Sequence, residues 1–194
     1  MRIAAFLDRD GVLNELVTDP VTGDPESPLH PDEVELIPGA ARAARSLRDA
    51  GFLLVGVSNQ PAAAKGLVDV ETLGGVQARV LELLADQGIR FDDFKICRHH
   101  PDAVVPELSG CCDCRKPAPG MLLAASAALG IDLERSWMIG DTDADVAAGI
   151  AAGCHTILIE HRASRHKRSG EVVADLTAPD LVTATAQLLG LSAR

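Results

Sequence analysis

The chain has 194 residues, 47% of them apolar, with four Phe, one Trp and no Tyr, enough for a full core in one domain packed by Ala, Val and Leu rather than by aromatic rings. Eighteen basic against 28 acidic residues leave a formal charge of −10, which argues against a general affinity for nucleic acid or anionic lipid. The longest apolar runs fall far short of a bilayer, and Met1-Arg2 leads into a short apolar run before Asp8, so neither a membrane span nor a signal peptide is expected and the cytoplasm is the expected compartment.

In chain order, Ile3 to Leu7 is a short apolar run that stops at Asp8 and predicts a strand. Pro38-Gly39 opens Ala40 to Ala50, apolar at helical spacing and stopped by Gly51, a natural C-terminal cap. Phe52 to Val57 predicts a strand that ends at Ser58, and Val70 to Gln87 a helix that ends at Gly88, although the Gly74-Gly75 pair counts against it. Phe94 to Cys97 reads as a strand, and Pro119 to Leu129 as a helix with Pro near its first turn and Gly130 beyond its end. Trp137-Met138-Ile139-Gly140-Asp141 is a third apolar run closed by a carboxylate. Asp143 to Ala152 predicts a helix up to Gly153, Thr156 to Ile159 a strand, and a short strand and helix complete the chain. Repeated βα units imply an α/β fold, a parallel sheet covered by helices on both faces.

Ligands of such sheets bind at the carboxyl ends of the strands, so Asp8, Ser58 and Asp141 are expected to converge. Asp8 and Asp10 are two residues apart, which in extended chain puts both on one face with Arg9 pointing away, and Gly11 lets the backbone turn close to a ligand. One carboxylate can then attack phosphorus while the other serves the leaving oxygen and later a water. Repulsion between carboxylate and phosphate calls for cations. Mg²⁺ on Asp8, a nearby main-chain carbonyl and Asp141 suits oxygen chemistry, Lys116 adds a point charge, and Ser58 adds a hydroxyl donor.

Five cysteines in a chain expected in the cytosol suggest metal binding more than disulfides. Cys97 and His99, then Cys112 and Cys114 after a twelve-residue gap, have the spacing of a Zn²⁺ clip immediately before Arg115-Lys116-Pro117. A buried thiol cluster is the plainer alternative. His100 could replace His99, but the one-residue spacing from Cys97 favours His99. Cys111 and Cys154 are left over, the latter as a small buried hydrophobe. Asp143 and Asp145 suit the first turn of a helix, with a supporting role for Asp145 through water or Lys116. The basic stretch from His161 to Arg168 reads as a solvated loop.

Asp8-Arg9-Asp10-Gly11, Ser58-Asn59-Gln60, Arg115-Lys116-Pro117 and Gly140-Asp141 resemble, in order, the four motifs of haloacid-dehalogenase-superfamily phosphatases. The Cys/His clip and the tract from Cys112 to Met121 resemble the branch that holds the D-glycero-D-manno-heptose 1,7-bisphosphate 7-phosphatases and the histidinol-phosphate phosphatases. The resemblance implies a Rossmann-like three-layer domain over residues 1–194 without a large cap. It also implies Asp8 as the nucleophile forming an aspartyl-phosphate and Asp10 as the general acid and base. Mg²⁺ would sit on Asp8, the Asp10 main-chain carbonyl and Asp141, and structural Zn²⁺ on Cys97, His99, Cys112 and Cys114. Ser58 and Lys116 would stabilise the transferring group, Asn59, Gln60 and Arg115 would contact substrate, and Lys65 with Arg115 would meet a distal anionic group.

The longer interval from His99 to Cys112 favours the heptose bisphosphate over histidinol phosphate or another small ester. Pro61-Ala62-Ala63-Ala64 and Val12 depart from the branch's usual residues, and the stretch from Asn14 to Pro38 lacks its usual substrate loop. The expected partner is a phosphorylated sugar, with neither nucleic acid nor membrane, and the expected state is a monomer. A catalytically silent phosphate-binding protein and a zinc-stabilised interaction module are the non-enzyme alternatives, and a nucleic-acid 3′-phosphatase is disfavoured by the charge.

Overall fold

The short apolar runs form the strands of one sheet, most of them buried inside it and Phe94 to Cys97 at its edge. In the computed structural model, which describes residues 1–19 and 23–192 with the side chains of 191 and 192 excepted, six parallel strands form the central sheet. These are β1 (Ala4–Leu7), β4 (Leu53–Asn59), β5 (Asp93–Cys97), β6 (Trp137–Gly140), β7 (His155–Ile159) and β8 (Leu176–Ala178). They lie in the order β5-β4-β1-β6-β7-β8. β2 (Val17–Thr18) and β3 (Pro25–Glu26) form a separate antiparallel pair that the sequence did not predict, being only two residues per strand. Residues 20–22 of the 14–38 stretch lie outside the described residues.

Every residue of β1 is fully buried, as a strand covered on both faces requires. On one face α1 (Ala40–Asp49), α2 (Val70–Asp86) and α5 (Leu181–Ser192) join a core that includes Leu47, Leu54, Val80, Leu84, Ile139 and Leu188. On the other, α3 (Gly120–Leu129) and α4 (Asp143–Ala152) enclose Phe6, Val55, Leu122, Met138 and Ala148. The expected α/β, Rossmann-like sandwich is therefore present. No helix among the described residues is long and apolar enough to cross a membrane.

The Gly74-Gly75 pair does not interrupt α2. A Cβ at Gly75 would lie 3.1 Å from Pro31 Cγ, so the absence of a side chain lets α2 pack closely on the short 3₁₀ turn of residues 31–33, and that contact offsets the poor helix propensity. β4 runs on through Ser58 and Asn59, two residues beyond the predicted stop, because both still pair with β5 at Ile96 and Cys97. Val12 is a buried member of the core.

From β1 the chain builds outward to β4 and β5, then returns to the other side of β1 for β6, β7 and β8. β1 therefore lies at the point where strand order reverses, and its carboxyl end opens a crevice between outgoing loops. β4 and β6 flank β1 directly, so their ends border the same crevice.

Candidate active site

Asp8 follows β1, Ser58 and Asn59 end β4, and Asp141 follows β6. The Asp8 N–H donates to the Ile139 carbonyl at 3.0 Å, so sheet pairing continues to the edge of the site. Beyond it the chain turns at Gly11, where φ is +79° and a Cβ would stand 2.1 Å from Asp141 Oδ2. Only glycine permits both that conformation and that approach. The result is a cavity of about 300 Å³ lined by Asp8, Asp10, Ser58, Asn59, Lys65, Arg115, Lys116, Asp141 and Asp145, among others.

Lys116 is the buried cation of this cavity. Its Nζ donates to the Val57 carbonyl at 2.7 Å and pairs with Asp8 Oδ1 at 2.9 Å and Asp145 Oδ1 at 2.5 Å. All three ammonium protons are thus engaged, so Lys116 acts on a bound anion chiefly as a fixed charge. Burial opposes its protonation, but the two carboxylates more than compensate and hold its pKa above the usual lysine value.

Asp8, Asp141 and Asp145 each offer an oxygen, and these oxygens lie within 4.8 Å of one another. All three residues are buried. Burial, then the Asp145 charge, raise Asp8 to about 6 against the pull of Lys116. Burial and the neighbouring Asp8 and Asp145 charges push Asp141 well above the carboxylate range. Three carboxylates against one buried ammonium leave a deficit of positive charge, and an all-oxygen donor set suits a hard divalent cation. Asp145 enters this cluster directly and pairs with Lys116 without a water. Its Oδ2 also accepts from Thr142 N at 3.0 Å and Thr142 Oγ1 at 2.6 Å, closing a capping box at the start of α4. Asp143 lies apart and accepts from Ser169 N and Oγ.

Asp10 differs from its neighbours. Burial would raise it, yet the Arg9 guanidinium and hydrogen bonds from Asn14, Gln60 and Ser27 hold it below the usual value. Arg9 does not point away from the site as extended geometry predicted. The chain turns after Arg9, and its wholly buried side chain curls back onto the Asp10 carboxylate. Gln60 is also committed inward, donating through Nε2 to Asp10 Oδ2 at 2.5 Å and to Ser58 Oγ at 2.9 Å. That leaves the Ser58 hydroxyl hydrogen free to point at a ligand. Gln60 lines a second, adjoining cavity of about 200 Å³, of which Lys65 and Ser27 also form part.

Asn59 and Lys116 exchange two hydrogen bonds: Asn59 Nδ2 donates to the Lys116 carbonyl at 2.9 Å and Lys116 N to Asn59 Oδ1 at 3.0 Å. Asn59 thereby tethers the loop that carries Lys116, and it also lines the cavity. Arg115 donates to the His99 carbonyl at 3.2 Å, and its loop is closed by Gly120 N donating to the Asp113 carbonyl.

Beneath that loop Cys97, His99, Cys112 and Cys114 converge. The three Sγ separations are 3.1, 3.2 and 3.6 Å, and His99 Nδ1 lies 3.4 Å from Cys114 Sγ and 3.7 Å from Cys97 Sγ. A tetrahedral Zn²⁺ with ~2.3 Å bonds to sulfur has ligand separations of about 3.8 Å, so the donor set fits that ion with slight expansion. His100 stands outside the cluster, its Nδ1 accepting from Asp102 N. Cys111 is exposed, and Cys154 is a buried thiol that burial pushes up to about 12.

The His161–Arg168 stretch is only in part the solvated loop expected, with Arg162, Arg165 and His166 exposed. It forms a 3₁₀ segment in which Ser164 is fully buried and Arg168 Nη1 donates to the carbonyl of Asp141 at 3.0 Å. Lys167 reaches the cavity and pairs with Glu26 at 3.2 Å. Leu16, Glu26, Ser27, Thr142, Ala144 and Lys167 all line the cavity although nothing in their local sequence marks them. With Ala163 its sole apolar residue, the run has no period to show which of its cations turn inward.

A family model described as HAD-hydrolase-like matches residues 113–185. The D-glycero-beta-D-manno-heptose-1,7-bisphosphate 7-phosphatase of Yersinia pestis is 38% identical over 89% of this chain and 87% of its own length. The chain belongs to the haloacid-dehalogenase superfamily. Within it this phosphatase falls in the heptose-bisphosphate-phosphatase branch, for the enzyme of that name from Photorhabdus laumondii is 34% identical over 97% of this chain and 96% of its own. Among solved structures, a D,D-heptose 1,7-bisphosphate phosphatase from B. bronchiseptica complexed with magnesium and phosphate superposes on this phosphatase with a TM-score of 0.80. It is 30% identical and covers 98% of this chain and 99% of that one.

Proposed function

We propose that the chain is a Mg²⁺-dependent phosphatase that removes the 7-phosphate of D-glycero-β-D-manno-heptose 1,7-bisphosphate, acting as a single-domain monomer. The observation that carries this reading is the meeting of Asp8, Asp10, Ser58, Lys116 and Asp141 at one cavity, in a chain with relatives of that activity along most of its length.

In the proposed reaction an Asp8 carboxylate oxygen attacks phosphorus and the bond to the sugar oxygen breaks. Asp10, held ionised in the resting site by Arg9 and its hydrogen-bond donors, takes a proton from solvent as substrate displaces a donor and gives it to that oxygen, so the sugar leaves as an alcohol and Asp8 carries the phosphoryl group. Asp10, again ionised, takes a proton from water as the water attacks phosphorus, and Asp8 is released with inorganic phosphate. Arg9 N–H and Lys116 Nζ both hold Asp8 Oδ1, which fixes the rotation of the nucleophile. Ser58 and Lys116 meet the charge on the transferring group.

Asp8, Asp141 and the Asp10 main-chain carbonyl would hold Mg²⁺, with Asp145 close by, and the ion would supply charge neutralisation at the phosphoryl oxygens. Structural Zn²⁺ on Cys97, His99, Cys112 and Cys114 would brace the loop that presents Arg115 and Lys116. Lys65 and Arg115, which also line the cavity, are the proposed contacts for the sugar's other phosphate.

The test is phosphate release with Mg²⁺ from both anomers of the heptose bisphosphate, histidinol phosphate, fructose 1,6-bisphosphate and an aryl phosphate. A kcat/KM for the β-heptose ester well above the others is expected. Equal, slow turnover of all would overturn the substrate assignment while leaving a phosphatase.

A further inference from the structure

Asp10 is held from behind by a group that the reaction scheme does not use. Arg9 is fully buried, donating from Nε to Asp10 Oδ1 and from Nη2 to Asp10 Oδ2, each at 3.1 Å. Its remaining Nη1 meets Gln77 Oε1 of α2 at 3.4 Å. Gln77 is itself buried, and its Nε2 has no partner, so the amide turns its oxygen to the guanidinium while its nitrogen gains nothing in exchange.

The other donors to Asp10 are Asn14 Nδ2 on Oδ1 at 2.9 Å, and Ser27 Oγ at 2.9 Å and Gln60 Nε2 at 2.5 Å, both on Oδ2. Five donor contacts exceed the roughly four lone-pair positions of a carboxylate. They also divide by location. Arg9 and Asn14 are fully buried, whereas Ser27 is half-buried and lines the cavity. A leaving oxygen arriving from the cavity displaces a donor on the open side, while the planar fork of Arg9 keeps the carboxylate from rotating with it.

We propose that Arg9, braced by Gln77, is a positioning residue that fixes the Asp10 carboxylate in the plane from which it serves the leaving oxygen. The inference rests on the proposed role of Asp10 as proton donor. It predicts that Arg matters here as a fork and not as a charge, since one ammonium cannot hold two carboxylate oxygens in a fixed plane.

The experiment compares Arg9→Lys, Gln77→Leu, Asp10→Asn and the Arg9→Lys/Asp10→Asn double variant. Each is assayed on the heptose bisphosphate, whose sugar alkoxide needs a proton to leave, and on 2,4-dinitrophenyl phosphate, whose phenolate does not. Melting temperatures are recorded alongside. A general acid contributes roughly 10²–10⁴-fold to a rate. Arg9→Lys should therefore lower kcat/KM, which reports the steps up to departure of the leaving group, about tenfold or more on the sugar ester and less than about threefold on the aryl ester, the later hydrolysis of the aspartyl-phosphate using Asp10 for both. Gln77→Leu, which leaves the fork in place but unbraced, should show the same selectivity with a smaller loss, and it carries the test should Arg9→Lys not fold. In the Asp10→Asn background, Arg9→Lys should cost nothing further on the sugar ester.

Equal losses of kcat/KM on both esters, or additive losses in the double variant, would overturn the positioning role and leave Arg9 a structural residue. A separate result bears on the underlying mechanism: an Asp10→Asn variant with wild-type turnover of the sugar ester would remove the proton-donor role and the inference with it.

Discussion

At Asp8, position in the sequence and chemical state are decided by different things. Its place after the first apolar run can be read directly, but its affinity for a proton comes from burial and from Asp145, which lies 137 positions later in the chain. The sign of the resulting pH dependence is determined. A carboxyl raised to about 6 from an ordinary 3.8 binds protons more tightly in the folded state, so folding gains stability as pH falls through about 6 and loses it above. Zinc-loaded protein in magnesium-free buffer should accordingly melt higher at pH 5 than at pH 7.5. Asp8→Asn should reduce that difference, raise the melting temperature at pH 7.5 and bring turnover to background; thermal scans at the two pH values check the first two and a phosphate-release assay the third. Cys154 shows the simpler case, where an Ala/Gly-rich neighbourhood is enough to foresee a buried thiol.

Among elements, two loops decide whether the strand ends become a site. The first runs from β5 to α3 and is tied to the sheet by Cys97, at the end of β5, and to the loop after β4 by Val104 N donating to the Ala64 carbonyl at 2.8 Å. Cys112→Ser should lower zinc content and melting temperature together and raise KM, because the same loop carries Arg115 and Lys116. Metal analysis beside kinetics checks it, and a fully stable zinc-free variant would contradict it. The second loop follows β7. Arg168 donates to the carbonyls of Asp141, Ile159 and His161 and to Ser164 Oγ, so it joins the Asp141 corner to the segment that carries Lys167. A hydrogen bond from a charged donor is worth about 1.5–3 kcal/mol. Arg168→Met should destabilise by about 2 kcal/mol and raise KM more than it lowers kcat, measured by urea unfolding and steady-state kinetics. The spacing of Cys97, His99, Cys112 and Cys114 made the first loop legible. The second was not, because seven basic or polar side chains in a row of eight carry no periodicity from which an inward face could be chosen.

For the whole molecule, a fold that gathers Asp8, Asp141 and Asp145 around one ammonium stores repulsion that a divalent ion relieves. Mg²⁺ should raise the melting temperature in proportion to the logarithm of its concentration, by about 2.7 kcal/mol of stability at a hundred times its dissociation constant. Asp141→Asn should remove most of that rise, and a variant still stabilised to the wild-type extent would exclude Asp141 from the ion's ligands. The order of the βα units, the strands that end in Asp8, Ser58 and Asp141, and the metal-clip spacing were determined by the sequence alone. Each depends on residues close together in the chain, where apolar period and ligand interval are sufficient. Tertiary structure alone decided that Arg9 turns back onto Asp10, that Gln60 faces Asp10 and Ser58, that Asp145 pairs directly with Lys116 and that Ser27 and Lys167 border the cavity. Those outcomes depend on which distant segments share one buried, low-dielectric space, where a polar group must take whatever partner the packing brings to it.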